Sequence, residues 1–179
     1  KKALVNKYAI AMEICSFRDY YDSARDILIP HIDFKTNDTW QKVVAIDSNN
    51  NHPILLENKY SRGKLYVLTI PDNPGDIYCY PEGVLNTIRN VVSKEIPVHI
   101  EGPAQVGLFL YDNNTFVIES FRDTNTEVTV VVHKENAVLH QIVTNRHRTD
   151  SGIDLIPGKG VTCFRIFLRP GTYKIFTIE

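Results

Sequence analysis

The chain has 179 residues, with 20 Lys and Arg against 21 Asp and Glu and a formal net charge of -1 at pH 7. That balance leaves no basic footprint for DNA, RNA or an anionic membrane, and no apolar run approaches the roughly 20 residues that span a bilayer. With 43% hydrophobic residues, the chain is long enough to bury a core without disulfides, as one large domain or two small ones.

It begins Lys1-Lys2-Ala3, with neither an initiator Met nor a signal-peptide pattern, so we read it as a segment of a longer protein whose targeting signal would lie upstream; the expected location is the cytoplasm, on no evidence from this segment. Cys15, Cys79 and Cys163 are odd in number and far apart. That spacing argues against a disulfide framework and a zinc site, and buried inert thiols are expected.

The first strands expected are Tyr8–Phe17 and Ile27–Phe34, the latter demoted toward an edge by Pro30. A third runs from Lys42 to Asp47 and is closed by the turn formers Ser48-Asn49-Asn50-Asn51. Pro53–Asn58 and Lys64–Ile70 follow, with Ser61-Arg62-Gly63 as a hairpin turn between them. Glu82–Lys94 is the one convincing helix. Val84, Leu85, Ile88, Val91 and Val92 form a single apolar stripe on it, Pro81 and Glu82 suit its start, and Pro97 forbids its continuation. The stripe is expected to pack on the preceding sheet.

The texture then changes, and the stretch from Arg62 to Pro103 looks like a junction between domains. Beyond it come short strands at near-regular spacing: Val98–Ile100, Val106–Tyr111, Phe116–Phe121, Glu127–His133, Val138–Thr144, Val161–Leu168 and Tyr173–Ile178. Turn clusters divide them, as at Asp112-Asn113-Asn114 and Arg169-Pro170-Gly171. Such a series suggests an antiparallel sandwich.

Candidate chemistry is sparse. Asp19, Asp22 and Asp26 stand close together, but the Gly and terminal Glu of a calcium loop are missing, and a solvated loop is the simpler reading. Asp72, Asn73 and Asp76 fall in a loop after a strong strand, where open α/β sheets place ligands. Tyr78 and Tyr80 lie beside them, so this is the candidate ligand loop, although turn chemistry explains the same residues. No two histidines have the spacing of a helical metal site, and Asn145-Arg146-His147-Arg148 reads as a solvated basic loop. Ser120 and Ser151 lack a nucleophile elbow, and Ser61-Arg62-Gly63-Lys64 is too short for a phosphate loop. Some of Tyr20, Tyr21, Trp40, Tyr60, Tyr66, Tyr78, Tyr80 and Tyr111 are candidate surface rings for stacking on sugars, although strand alternation buries many aromatics.

The run from Pro53 to Leu68, P-I-L-L-E-N-K-Y-S-R-G-K-L-Y-V-L, resembles the end of the glutamine-amidotransferase-like domain in the trimerisation region of family 42 type β-galactosidases. There a late hairpin carries Y-G-x-G-K/R-hydrophobic, and here Ser61 replaces its first Gly. Phe121–Val130 (F-R-D-T-N-T-E-V-T-V) and Leu168–Phe176 (L-R-P-G-T-Y-K-I-F) resemble strands of the small β-sandwich that closes such chains. The likeness covers about two thirds of the chain and leaves out the residues before Asn51. It implies a non-catalytic region that assembles the oligomer, and it carries over no catalytic residue.

The expected fold is therefore mainly β. A partial α/β or β segment with one clear helix, over residues 1–95, resembles the tail of the amidotransferase-like domain, and an antiparallel β-sandwich follows over residues 96–179. The expected function is a non-catalytic accessory region of a larger carbohydrate-active protein, with upstream domains of the same chain and further copies as partners. The alternative is a carbohydrate-binding module that takes a glycan. An autonomous enzyme is the third reading. No cofactor or metal is expected.

Overall fold

The computed structural model describes residues 15–16, 27–30, 32, 40–46, 52–142, 153–157 and 160–179. The turn at Ser48–Asn51, the Asp19/Asp22/Asp26 cluster, the Asn145–Arg148 loop and Ser151 lie outside the described residues. The chain is mainly β, and its contacts divide it into two units, Lys1–Ile88 and Arg89–Glu179.

The first unit holds a four-stranded sheet in the order β1-β2-β3-β4. Of the strand expected over Tyr8–Phe17, Cys15–Ser16 is described, and it forms β1, parallel to β2 (Trp40–Ala45). The described residues of Ile27–Phe34 are not strand, which corrects that expectation. Pro30 has no N–H to donate to a ladder, and the Leu28 carbonyl instead accepts from the Asp72 N–H at 3.1 Å. β3 (Pro53–Tyr60) carries the apolar run Pro53-Ile54-Leu55-Leu56, buried throughout, so this part of the strand is covered on both faces.

β3 pairs with β4 (Gly63–Leu68) around a turn of two residues, Ser61 and Arg62. Ser61 has φ 54°, in the left-handed region. The resembled pattern has Gly at this position, and Gly adopts that region without steric cost. Ser61→Gly is therefore expected to stabilise the first unit by about 0.5–1 kcal/mol, the relief of strain less the entropy that Gly adds to the unfolded chain. The single tryptophan, Trp40, lies in this unit, so its fluorescence during urea unfolding reads the shift.

A 3-10 helix (Pro74–Cys79) leads into α1 (Glu82–Val92). The Pro81 carbonyl accepts from the Val84 and Leu85 N–H groups, both at 3.0 Å, and starts the helix where the sequence places it. The expected stripe is only partly buried. Val84 is wholly buried, and Leu85, Ile88 and Val91 are half-buried, but Val92 is 69% exposed. Val92 stands in the last turn, where it lines a shallow apolar groove with Ile96, Val106 and Leu108.

The second unit is built from two four-stranded antiparallel sheets, ordered β10-β11-β8-β5 and β6-β7-β12-β9. The strands are β5 (Val98–Glu101), β6 (Val106–Leu110), β7 (Thr115–Ser120), β8 (Thr126–Val132), β9 (Leu139–Ile142), β10 (Ile153–Pro157), β11 (Thr162–Leu168) and β12 (Tyr173–Ile178). β10 was not expected. It is short, lies among turn formers and ends in Pro157, and it sits at a sheet edge, where a strand tolerates proline.

Alternation decides what fills the space between the sheets. Phe116 and Ile118 from β7, Val128, Val130 and Val132 from β8, and Phe164, Ile166 and Leu168 from β11 meet in one cluster with Phe176 from β12. The Phe116 and Phe176 rings stack at 5.3 Å between centroids. Thr162 closes one end of the sandwich. Its hydroxyl accepts from the Ala137 N–H at 3.0 Å and donates to the Lys134 carbonyl at 2.7 Å.

The crossover from β5 to β6 passes from one sheet to the other through Gly102–Gln105. Two arginines hold it. Arg89, in the last turn of α1, donates to the carbonyls of Gly102 and Pro103, and Arg122 donates to that of Ala104 at 3.2 Å.

Candidate functional site

The loop singled out in the sequence is a capped turn. The Asn73 side-chain oxygen accepts from the Gly75 N–H at 3.2 Å, which caps the 3-10 helix, and its amide donates to Asp76 Oδ1 at 3.2 Å. Asp76 is buried beneath the turn, and Asp72 is exposed. The two tyrosines part company. Tyr78 is 60% exposed, whereas Tyr80, counted among the candidate surface rings, is 4% exposed. Burial pushes the Tyr80 phenol up to about 12, so it stays neutral across the physiological range. The loop thus brings Asn73 and Asp76 together and presents one ring to solvent. Cys79 beside it is exposed, against the expectation of a buried thiol, while Cys163 is half-buried in β11.

The outer faces of the sandwich differ in chemistry. On the sheet that holds β8 and β11, Glu127 and Arg165 form an ion pair at 2.9 Å, near Glu101, His99 and Cys163. On the other sheet, the residues between core positions are Gly107 and Phe109 on β6, Val117 and Glu119 on β7, and Tyr173 and Ile175 on β12. The register sets Gly107 opposite Glu119, and Glu119 opposite Tyr173, in one line across three strands. Phe109 and Phe121 lie over Gly107: a Cβ placed there would meet Phe121 Cε2 at 3.1 Å and Phe109 Cε2 at 3.2 Å. Phe109, Phe121 and Tyr173 are 44%, 58% and 55% exposed.

His99, on β5, is a second point of interest. Its Nδ1 lies 2.8 Å from His133 Nε2, so one proton is shared between the two rings. Its Nε2 is buried without a hydrogen bond, 3.8 Å from Glu101 Oε1. Burial, reinforced by His133 and opposed by Glu101, holds the His99 imidazole below its ordinary value of 6.5. An unfolded chain therefore takes up the proton first as pH falls. The stability that neutral His99 contributes is complete above pH 6.5 and is lost as pH drops through the lower, folded value. The urea midpoint of the sandwich is expected to fall between pH 7 and pH 5, and His99→Phe is expected to flatten that fall. Equal slopes in circular dichroism titrations of the two proteins would contradict this.

Among the described residues, no group of three His, Cys, Asp or Glu side chains is arranged to hold a metal ion, and no helix is long and apolar enough to cross a membrane. Comparison with known families divides the chain. Residues 97–178 match the family described as "Probable glycosyl hydrolase, C-terminal domain". The C-terminal region is glycoside-hydrolase-like. Residues 1–73 match a family described as "Uncharacterized protein SSO3021, second domain". No curated protein and no solved structure matches the chain.

The glycoside-hydrolase-like region spans all eight strands β5–β12, and its outer aromatic row escaped the sequence reading. Part of the signal was present: with Phe116, Ile118 and Ser120 facing inward, Val117, Glu119 and Phe121 must face out. The alignment of Gly107, Glu119 and Tyr173 was not legible, because it depends on the pairing register of three strands.

Proposed function

We propose that this chain is the non-catalytic C-terminal accessory region of a larger carbohydrate-active protein, of the family 42 β-galactosidase type. In that setting it packs on upstream domains of the same chain and contributes to contacts between copies. The match of the whole sandwich to a glycosyl hydrolase C-terminal domain carries the reading. The placement of carboxylates supports it. Glycoside cleavage uses two carboxyl groups facing one another across the scissile bond. Here Glu57 is bound to Lys64 at 2.6 Å, Glu127 to Arg165 at 2.9 Å and Glu179 to His140 at 3.1 Å. A carboxylate held by a neighbouring cation is not presented to a scissile bond.

An assay of the chain against a panel of aryl glycosides tests this, with background release of the aryl group as the expected result. Turnover well above background, lost on changing one carboxylate of this chain, would overturn it. The second reading, a sandwich that binds carbohydrate, is favoured by one observation, the exposed rings on the β6-β7-β12 face.

A further inference from the structure

We propose that the line of side chains crossing β6, β7 and β12 is a contact site for a β-linked hexose oligosaccharide. The site consists of Phe109 and Phe121 over Gly107, then Glu119, then Tyr173. The inference deepens the carbohydrate-binding reading above and rests on it.

Three observations carry it. The first is the line itself. Gly107, Glu119 and Tyr173 are consecutive cross-strand partners, so the site reads ring, carboxylate, ring at right angles to the strands. Neighbouring strands lie about 4.8 Å apart, which is close to the advance of one β-1,4-linked hexose, so successive sugars meet successive strands. The second is the glycine. A Cβ at Gly107 would crowd the rings of Phe121 and Phe109, at 3.1 Å and 3.2 Å, so its absence lets both rings lie down on the sheet. Phe121, at the end of β7, turns back over β6, and its N–H donates to the Gln105 carbonyl at 2.9 Å. A flat apolar surface of that kind takes the axial C–H face of a pyranose.

The third is Glu119, which selects the occupant. Among the described residues it forms no ion pair or hydrogen bond that would hold its carboxylate. An apolar protein surface laid over these rings would bury that charge unpaired, at a cost of several kcal/mol. A sugar brings hydroxyl donors and water to the same place, so the carboxylate accepts hydrogen bonds and the rings stack beside it. A handful of placed polar groups among apolar ones is the usual composition of a small-molecule site.

The test is a titration of the 15N-labelled chain with cellohexaose and with β-1,4-galactohexaose, followed by amide NMR. Saturable shifts centred on Gly107, Glu119, Phe121 and Tyr173 are expected with at least one of the two. Tyr173→Ala and Phe121→Ala are each expected to weaken binding about tenfold, equivalent to ~1.4 kcal/mol, and Tyr173→Phe to retain it. These side chains are exposed, so the variants keep a dispersed spectrum. Absence of saturable shifts with both sugars, shifts centred elsewhere, or affinity unchanged in Tyr173→Ala would overturn the proposal. So would self-association of the chain that Tyr173→Ala abolishes, since the face would then belong to a second copy. Shifts centred elsewhere on the sandwich would overturn this site and leave the carbohydrate-binding reading standing, whereas no saturable shifts with either sugar would overturn both, so the two failures are distinguishable.

Discussion

Phe116→Ala is expected to destabilise the sandwich by about 3–5 kcal/mol, a large part of the 5–15 kcal/mol that holds a typical domain together. Phe116 is fully buried, and so is Phe176, its cross-strand partner on β12. The two rings stack at 5.3 Å with 26° between their planes. Removing one ring leaves a cavity lined by residues of both sheets, and the second ring loses its neighbour. Relaxation is limited, because Ile118, Ile166 and Leu168 around them are already fully buried. Urea unfolding followed by circular dichroism measures the loss, and a change below about 1 kcal/mol would show that the pair does not anchor this core.

Gly102→Val is expected to have the next largest effect, about 2–4 kcal/mol. Gly102 has φ 151°, a backbone conformation that residues with a Cβ rarely adopt. A Cβ there would also meet Val128 Cγ1 at 3.0 Å and the Glu127 carbonyl at 3.5 Å. Val128 is itself buried in the core and has little room to give. The same residue offers its carbonyl to Arg89, so a shift of the backbone to relieve the contact would disturb the bond that ties the last turn of α1 to the β5–β6 crossover. Thermal melts of Gly102→Val and Gly102→Ala should rank in that order below the wild type. A valine variant as stable as the wild type would mean that the crossover can be rebuilt.

The sandwich was legible from the strands that alternate cleanly. In β7 and β11, every second residue is buried, and all of these but Ser120 and Thr162 are apolar, so the pattern stands whatever the partners. β10 was hidden, because five residues ending in proline carry too little pattern to stand out. The hairpin at Ser61-Arg62 could be read from its turn residues. The parallel pairing of β1 with β2 could not, since it joins segments far apart in sequence with nothing local to announce it.

The functional signal divided in the same way. Asp72, Asn73 and Asp76 drew attention by residue type, and in the fold Asn73 and Asp76 make a turn. Tyr80 drew attention as an aromatic beside that loop, yet it is buried. Phe109, Phe121 and Tyr173 were read as strand residues, because what distinguishes them is the face they share across three strands. Gly107 between the rings has no meaning until that register is known.

The most direct test of the central claim, that this chain accompanies carbohydrate chemistry without performing it, is proton NMR of cellohexaose and of β-1,4-galactohexaose incubated with the protein. The account predicts that both oligosaccharides remain intact throughout. New reducing-end anomeric signals that grow with time and protein concentration would contradict it.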